Sequence, residues 1–213
     1  MPDIKLLHSG RGDIVFYLIS GGEDISPELF SCDAAVALVS VDDWNMELSP
    51  WKAAKCFKNG EDFGGGAGEY LAELVRAISA FEAENHIEPA HRALCGYSLA
   101  GLCAMYGLYE CALFDGVMSA SGSMWFDGWM EYMEKNAPAC GNARVYLSVG
   151  DREARTRNPR LAMVEECTRR ACEILTAGGH EAVFELNSGN HFNEPHRRIA
   201  RGIETLFEMY TKN

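Results

Sequence analysis

The 213-residue chain is long enough to bury a substantial core, and its 47% hydrophobic and 23% charged content excludes the disordered, collagen-like and coiled-coil classes. With 31 acidic residues against 19 basic ones the net charge is −12, which repels phosphate backbones and anionic bilayers and argues against nucleic acid or a membrane as partner. The longest apolar run, AAVALVSV at 34–41, is too short to span a bilayer, and MPDIKLLHSGRGD lacks the apolar stretch of a secretory signal, so a cytoplasmic protein is expected.

Short β-rich runs alternate with segments of helical period, the pattern of a mostly parallel sheet with helices on both faces. DIVFYLISGG (13–22) reads as a buried strand closed by paired glycines, and AAVALVSVDDW (34–44) as a second strand closed by acidic residues. NMELSPW reads as loop. After the GGG at 64–66, Tyr70, Leu71, Leu74, Val75, Ile78 and Phe81 recur at helical spacing. A strand over 92–97 runs directly into LAGLCAMYGLYE, which has helical character, and 114–120 is another strand followed by SGSMWFDGW. ARVYLSVGD (143–151) is a strand, 159–177 a helix stopped by Gly178 and Gly179, and EAVFELN (181–187) a last strand ahead of NSGNHF. Pro195 marks the opening of a final helix. No repeat, low-complexity tract or linker interrupts the series, so a single domain over 1–213 is expected.

Eight cysteines are scattered without a C-x-x-C pair or metal-ligand spacing, and they read as reduced, mostly buried thiols. H-E-x-x-H and similar clusters are absent, so neither a metal nor another cofactor is implied.

In an open α/β sheet ligands bind beyond the carboxyl ends of the strands, which singles out SGG, DDW, YSL, SGSMW, GDRE and GNH. Within LCGYSLAG (94–101), Ser98 stands where a strand becomes a helix, with small residues two before (Gly96) and two after (Ala100). That is the requirement of a nucleophile elbow, where neighbouring backbones pass too close for side chains, although Ala100 departs from G-x-S-x-G. Such a short pattern also arises by chance, so the context decides. A serine needs a histidine base and a carboxylate to hold it, in the chain order Ser, acid, His. Asp151 and Glu153 follow one strand and His191 follows the next, each beyond the carboxyl end. Leu99, directly after Ser98, would supply one N–H to an oxyanion, and the turn at Gly21 and Gly22 the second. Trp44 and Trp125 follow strands closely and are the candidate pocket walls; Trp51 and Trp129 read equally well as core. Asp42 and Asp43 are read as solvated or capping carboxylates, and His196 as a weaker alternative base.

GYSLAG, SASGSMWFDG, GDREARTRNP and GNHF together resemble the small esterase branch of the α/β-hydrolase superfamily, related to enterochelin-type esterases and S-formylglutathione hydrolases, over nearly the whole chain. The resemblance implies an α/β-hydrolase fold with little or no lid, a Ser, Asp/Glu, His triad, a small-molecule ester or thioester substrate and no cofactor. It favours Glu153 over Asp151 as the acid, because relatives place that residue three positions after a strand-terminal glycine, and it favours Gly22 as the second oxyanion donor. Acyl transfer by the same triad and a non-catalytic binding protein remain as alternatives, and a homo-oligomer is compatible with either.

Overall fold

Along Ile14–Ile19 the side chains alternate between two apolar clusters, with Val15, Tyr17 and Ile19 facing one way and Ile14, Phe16 and Leu18 the other. A strand buried on both faces belongs inside a parallel sheet covered on each side. The computed structural model, which describes residues 1–212, places it there. The first half of the chain forms β1 (Ile4–His8), β2 (Arg11–Ser20), β3 (Ala34–Ser40), α1 (Trp44–Glu47), β4 (Lys52–Ala53), β5 (Phe63–Gly64), α2 (Ala67–Asn85) and β6 (His91–Tyr97). The second half forms α3 (Leu99–Glu110), β7 (Gly116–Ala120), α4 (Trp129–Lys135), β8 (Arg144–Gly150), α5 (Pro159–Ala162), α6 (Val164–Ala177), β9 (Glu181–Asn187) and α7 (Pro195–Thr211).

Seven strands make one sheet in the order β1, β3, β2, β6, β7, β8, β9, with β1 antiparallel to β3 and all other neighbours parallel. Helices α2, α3, α4 and α6 bury Leu71, Leu102, Trp129 and Leu175 on one face. Helix α7 covers the other face with Ile199, Ile203 and Leu206, beside Phe30 from the segment after β2. The carboxyl ends of the parallel strands thus open on one edge of the sheet, where the loops gather.

Several expectations shift. The second strand ends at Ser40 rather than running to 44, because Asp43 leaves the sheet to cap α1, its carboxylate accepting the Met46 N–H at 3.0 Å. The segment read as loop therefore holds a helical turn. The helix expected over 159–177 is broken at Met163. Its first turn is held separately, by Asn158 capping the Arg160 N–H at 3.0 Å and by Arg160 donating to the Ala54 and Lys55 carbonyls at 2.7 and 3.2 Å. Strand β1 and helix α4 were not anticipated. The cysteines are free among the described residues, but only Cys32, Cys95 and Cys103 are buried and the other five are half-buried.

The turn from β6 into α3 depends on missing side chains. A Cβ on Gly96 would lie 2.3 Å from the Ala100 carbonyl, and one on Gly101 2.6 Å from Ser119 Oγ. Gly96→Ala should therefore cost about 2–4 kcal/mol in denaturant unfolding. Gly141→Ala, whose Cβ would meet nothing within 4 Å, should stay within about 0.5 kcal/mol of wild type. Equal stability of the two variants would show that the turn is not packed as described.

Candidate active site

Ser98 has φ 59° and ψ −123°, a conformation that costs a non-glycine residue roughly 1–3 kcal/mol and persists only where its surroundings enforce it. Three backbone bonds do so: Ser98 N–H to the Ala120 carbonyl at 3.1 Å, and the N–H groups of Leu102 and Ser123 to the Ser98 carbonyl at 3.2 and 3.0 Å. The side chain stands at the head of α3, beside the partnerless N–H groups of the first helical turn.

His191 lies in the loop between β9 and α7. Its Nε2 is 3.1 Å from Ser98 Oγ and its Nδ1 is 2.8 Å from Glu153 Oε2. With Nδ1–H donating to the carboxylate, Nε2 presents its lone pair to the serine hydroxyl. Of the two carboxylates left open by the residues themselves, Glu153 meets the histidine. Asp151 instead accepts the Gly189 N–H at 2.7 Å and so fastens the end of β8 to the histidine loop. Its side chain is 44% exposed and makes no bond to His191.

The second oxygen of Glu153 is committed elsewhere. Oε1 accepts from Ser121 Oγ at 2.7 Å, from the Gly150 N–H at 2.7 Å and from Arg198 Nη1 at 2.8 Å. The side chains of Arg198 and Glu153 are 5% and 3% exposed, making this a buried ion pair. Arg198 also donates through Nη2 to the Ser188 and Asn190 carbonyls at 3.0 and 2.9 Å, on either side of Gly189, and through Nη1 to Ser121 Oγ. Burial pushes the Glu153 carboxyl pKa up, but hydrogen bonds from His191 and Ser121, the charge of His191 and the Gly150 N–H outweigh it and leave the pKa below the usual value. Neither Ser121 nor Arg198 was singled out from sequence. Arg198 had a signal: 198, 202 and 206 share one stripe of α7 with Ile199 and Ile203, so a charge there faces inward.

At the expected oxyanion site, Leu99 opens α3 as required. Gly22 has φ 95°, and its N–H turns back to Ser20 Oγ at 3.3 Å while the Gly21 N–H donates to Glu23 at 2.9 Å. The structure therefore does not hold Gly22 as a free donor. Two cavities flank Ser98 and share its side chain, His191 and Phe192. The smaller, about 250 Å³, has walls from Ile19, Glu23, Ile25 and Trp44. The larger, about 500 Å³, has walls from Phe57, Trp125, Arg152 and Arg155. Trp44 and Trp125 thus fall on opposite sides of the serine. Trp51 and Trp129 instead join an aromatic cluster with Tyr106 and Tyr132. His196 lines the smaller cavity without a bond to Ser98. Burial pushes the Cys95 and Cys103 thiols up, so neither supplies a thiolate.

A mostly parallel sheet with a serine on a strained strand-to-helix turn, and a carboxylate and a histidine beyond later strands, defines an α/β-hydrolase. The chain belongs to the esterase family described as "Putative esterase", whose model matches residues 32–198. The uncharacterised protein YbbA of Bacillus subtilis (strain 168) is 31% identical over 126 residues, 56% of this chain, and the match spans only half of that relative's length. The fold is shared with an IroE-like serine hydrolase from Shewanella oneidensis, with a TM-score of 0.71 at 17% identity over 99% of this chain and 76% of the other. It is shared also with the enterochelin esterase of Shigella flexneri, with a TM-score of 0.70 at 16% identity over 98% and 55%. Siderophore hydrolase EstA of Aspergillus nidulans matches with a TM-score of 0.65 at 17% identity over 98% and 89%. No helix among the described residues is long and apolar enough to cross a membrane.

Because the folded pKa of Glu153 lies below its unfolded value, its ionised form contributes stability that is present above the ordinary carboxylate pKa and is lost as pH falls through the folded one. Arg198→Met leaves that buried charge half-compensated, and the expected cost is about 3 kcal/mol at pH 7. The gap from wild type should narrow on acidification, as Glu153 takes up a proton more readily in the variant. Denaturant unfolding across pH 4–7 measures it, and a gap that does not change with pH would assign the loss to packing alone.

Proposed function

We propose that the protein is a serine hydrolase that cleaves a small-molecule ester, or by the same chemistry a thioester, through an acyl-enzyme on Ser98. The observation that carries the reading is the unbroken line from Ser98 Oγ to His191 Nε2 at 3.1 Å and from His191 Nδ1 to Glu153 at 2.8 Å. His191 takes the hydroxyl proton as Ser98 Oγ attacks the carbonyl carbon, and Glu153 stabilises the imidazolium and holds the ring. The tetrahedral oxyanion rests on the Leu99 N–H at the positive end of α3. Gly22 adds a second donor by giving up its long contact to Ser20 Oγ, a bond weak enough to exchange for one to an anion. Collapse expels the alcohol or thiol, which takes its proton from His191, and water activated by the same histidine releases the acid. Neighbours in fold that are a siderophore hydrolase and an enterochelin esterase support the same reading of a small-molecule ester.

A fluorophosphonate probe should label wild-type protein at Ser98 and leave Ser98→Ala unlabelled, with short-chain ester turnover falling by about 10⁴-fold or more. Glu153→Gln should lose roughly 10³–10⁴-fold, far more than Asp151→Asn, with circular dichroism confirming that both are folded. Undiminished turnover by Ser98→Ala would end this reading, and the reverse ranking of the two acid variants would move the triad acid to Asp151.

A further inference from the structure

We propose that the cavity on the Trp125 side of Ser98 is a subsite for the anionic half of the substrate, a carboxylate-bearing group, and that Arg155 selects for it. The inference rests on Ser98 as the nucleophile. Residues 150–156 form a run of turns whose buried member, Glu153, points to His191, and whose outer members, Arg152 and Arg155, line the larger cavity. The run is fixed to the end of β9 by Asp151 N–H to the Asn187 carbonyl at 2.8 Å and to the histidine loop by Arg152 N–H to the Gly189 carbonyl at 3.0 Å. Arg155 N–H donates to the Arg152 carbonyl at 3.1 Å, which sets the two arginines side by side.

Most arginines of this acidic chain are matched with carboxylates, as Arg160 is with Asp127 at 3.0 Å and Arg92 with Glu82 at 2.7 Å. Arg152 lies only loosely against Asp151, at 3.7 Å, and Arg155 has no ion-pair partner among the described residues. The single carboxylate in that cavity, Glu153, is already shared between His191 and Arg198. Phe57, Trp125 and Phe192 supply apolar walls against which the body of such a group can pack. Across Ser98 the sign reverses. There Glu23 lines the smaller cavity, its Oε2 already accepting from Ser20 Oγ at 2.8 Å, and an anion would be repelled. The cleft is therefore polarised along its length, and an ester with one neutral apolar half and one anionic half has one favoured direction of binding.

Two pairs of esters test this, each setting a carboxylate against a neutral amide of similar size: para-carboxyphenyl against para-carbamoylphenyl butyrate, and p-nitrophenyl hydrogen glutarate against p-nitrophenyl glutaramate, with each ratio taken relative to that of the uncatalysed hydrolysis. In at least one pair the wild type should prefer the anion in kcat/KM by about fivefold at low salt, the most that an exposed ion pair supplies. That ratio should shrink with ionic strength, fall to about one in Arg155→Gln and drop below one in Arg155→Glu. No preference in either pair, or one that survives Arg155→Gln, overturns the subsite while Ser98-dependent hydrolysis still stands. Hydrolysis that is undiminished in Ser98→Ala overturns the nucleophile and the subsite together.

Discussion

The two oxygens of a single buried carboxylate join most of the elements that meet at this site. One oxygen of Glu153 faces the histidine; the other collects Ser121 from the end of β7, the Gly150 N–H from the end of β8 and Arg198 from α7. A carboxylate so deeply buried would ordinarily hold a proton, which would leave it unable to orient and stabilise a cationic ring. Hydrogen bonds from His191, Ser121 and the Gly150 N–H keep it charged, and Arg198 pairs with the charge so held. Because a buried pair is costly unless each lone pair and proton finds a partner, the same demand that keeps Glu153 ionised forces Arg198 onto the two carbonyls of the histidine loop.

The sheet supplies the rest of the order. Beyond the last residue of β6, Ser98 N–H still bonds to the Ala120 carbonyl of β7; beyond β7, Ser121 N–H bonds to the Ser148 carbonyl of β8; beyond β8, Asp151 N–H bonds to the Asn187 carbonyl of β9. The parallel ladder thus runs one residue past each strand, and two of those residues, Ser98 and Ser121, have positive φ. Strain that would relax in a free loop is held by hydrogen bonding that the sheet provides in any case. Gly96 and Gly101 allow α3 to approach closely enough for this to happen.

The central strands were legible because each is an apolar run bounded by turn residues, and 181–187 matches β9 from end to end. The meeting of Ser98, Glu153 and His191 is legible because each lies just beyond the carboxyl end of its own strand, in the chain order that a serine, a carboxylate and a histidine acting together would need. What escaped has a physical reason. Strand β1 is a short, half-exposed edge whose pattern, IKLLH, carries little period, and α1 is a single turn specified by its cap rather than by an apolar stripe. From the residues alone the choice between Asp151 and Glu153 stayed open, because it turns on side-chain direction across a tight turn; only the resemblance favoured Glu153, the carboxylate that meets His191. Arg198 was overlooked because charged residues are seldom buried, so composition alone marks it as surface.

Arg198 grips the Ser188 and Asn190 carbonyls from the first turns of α7 while its other nitrogen holds Glu153. Movement of the histidine loop is thereby tied to the seating of the C-terminal helix on the sheet. The loop has little freedom to breathe by itself: lifting His191 away from Ser98 means breaking bonds to a guanidinium that is buried under α7. Local opening at the site and detachment of α7 should accordingly be one cooperative event, so the lifetime of the assembled site is set by the packing of Ile199, Ile203 and Leu206 on the far face of the sheet.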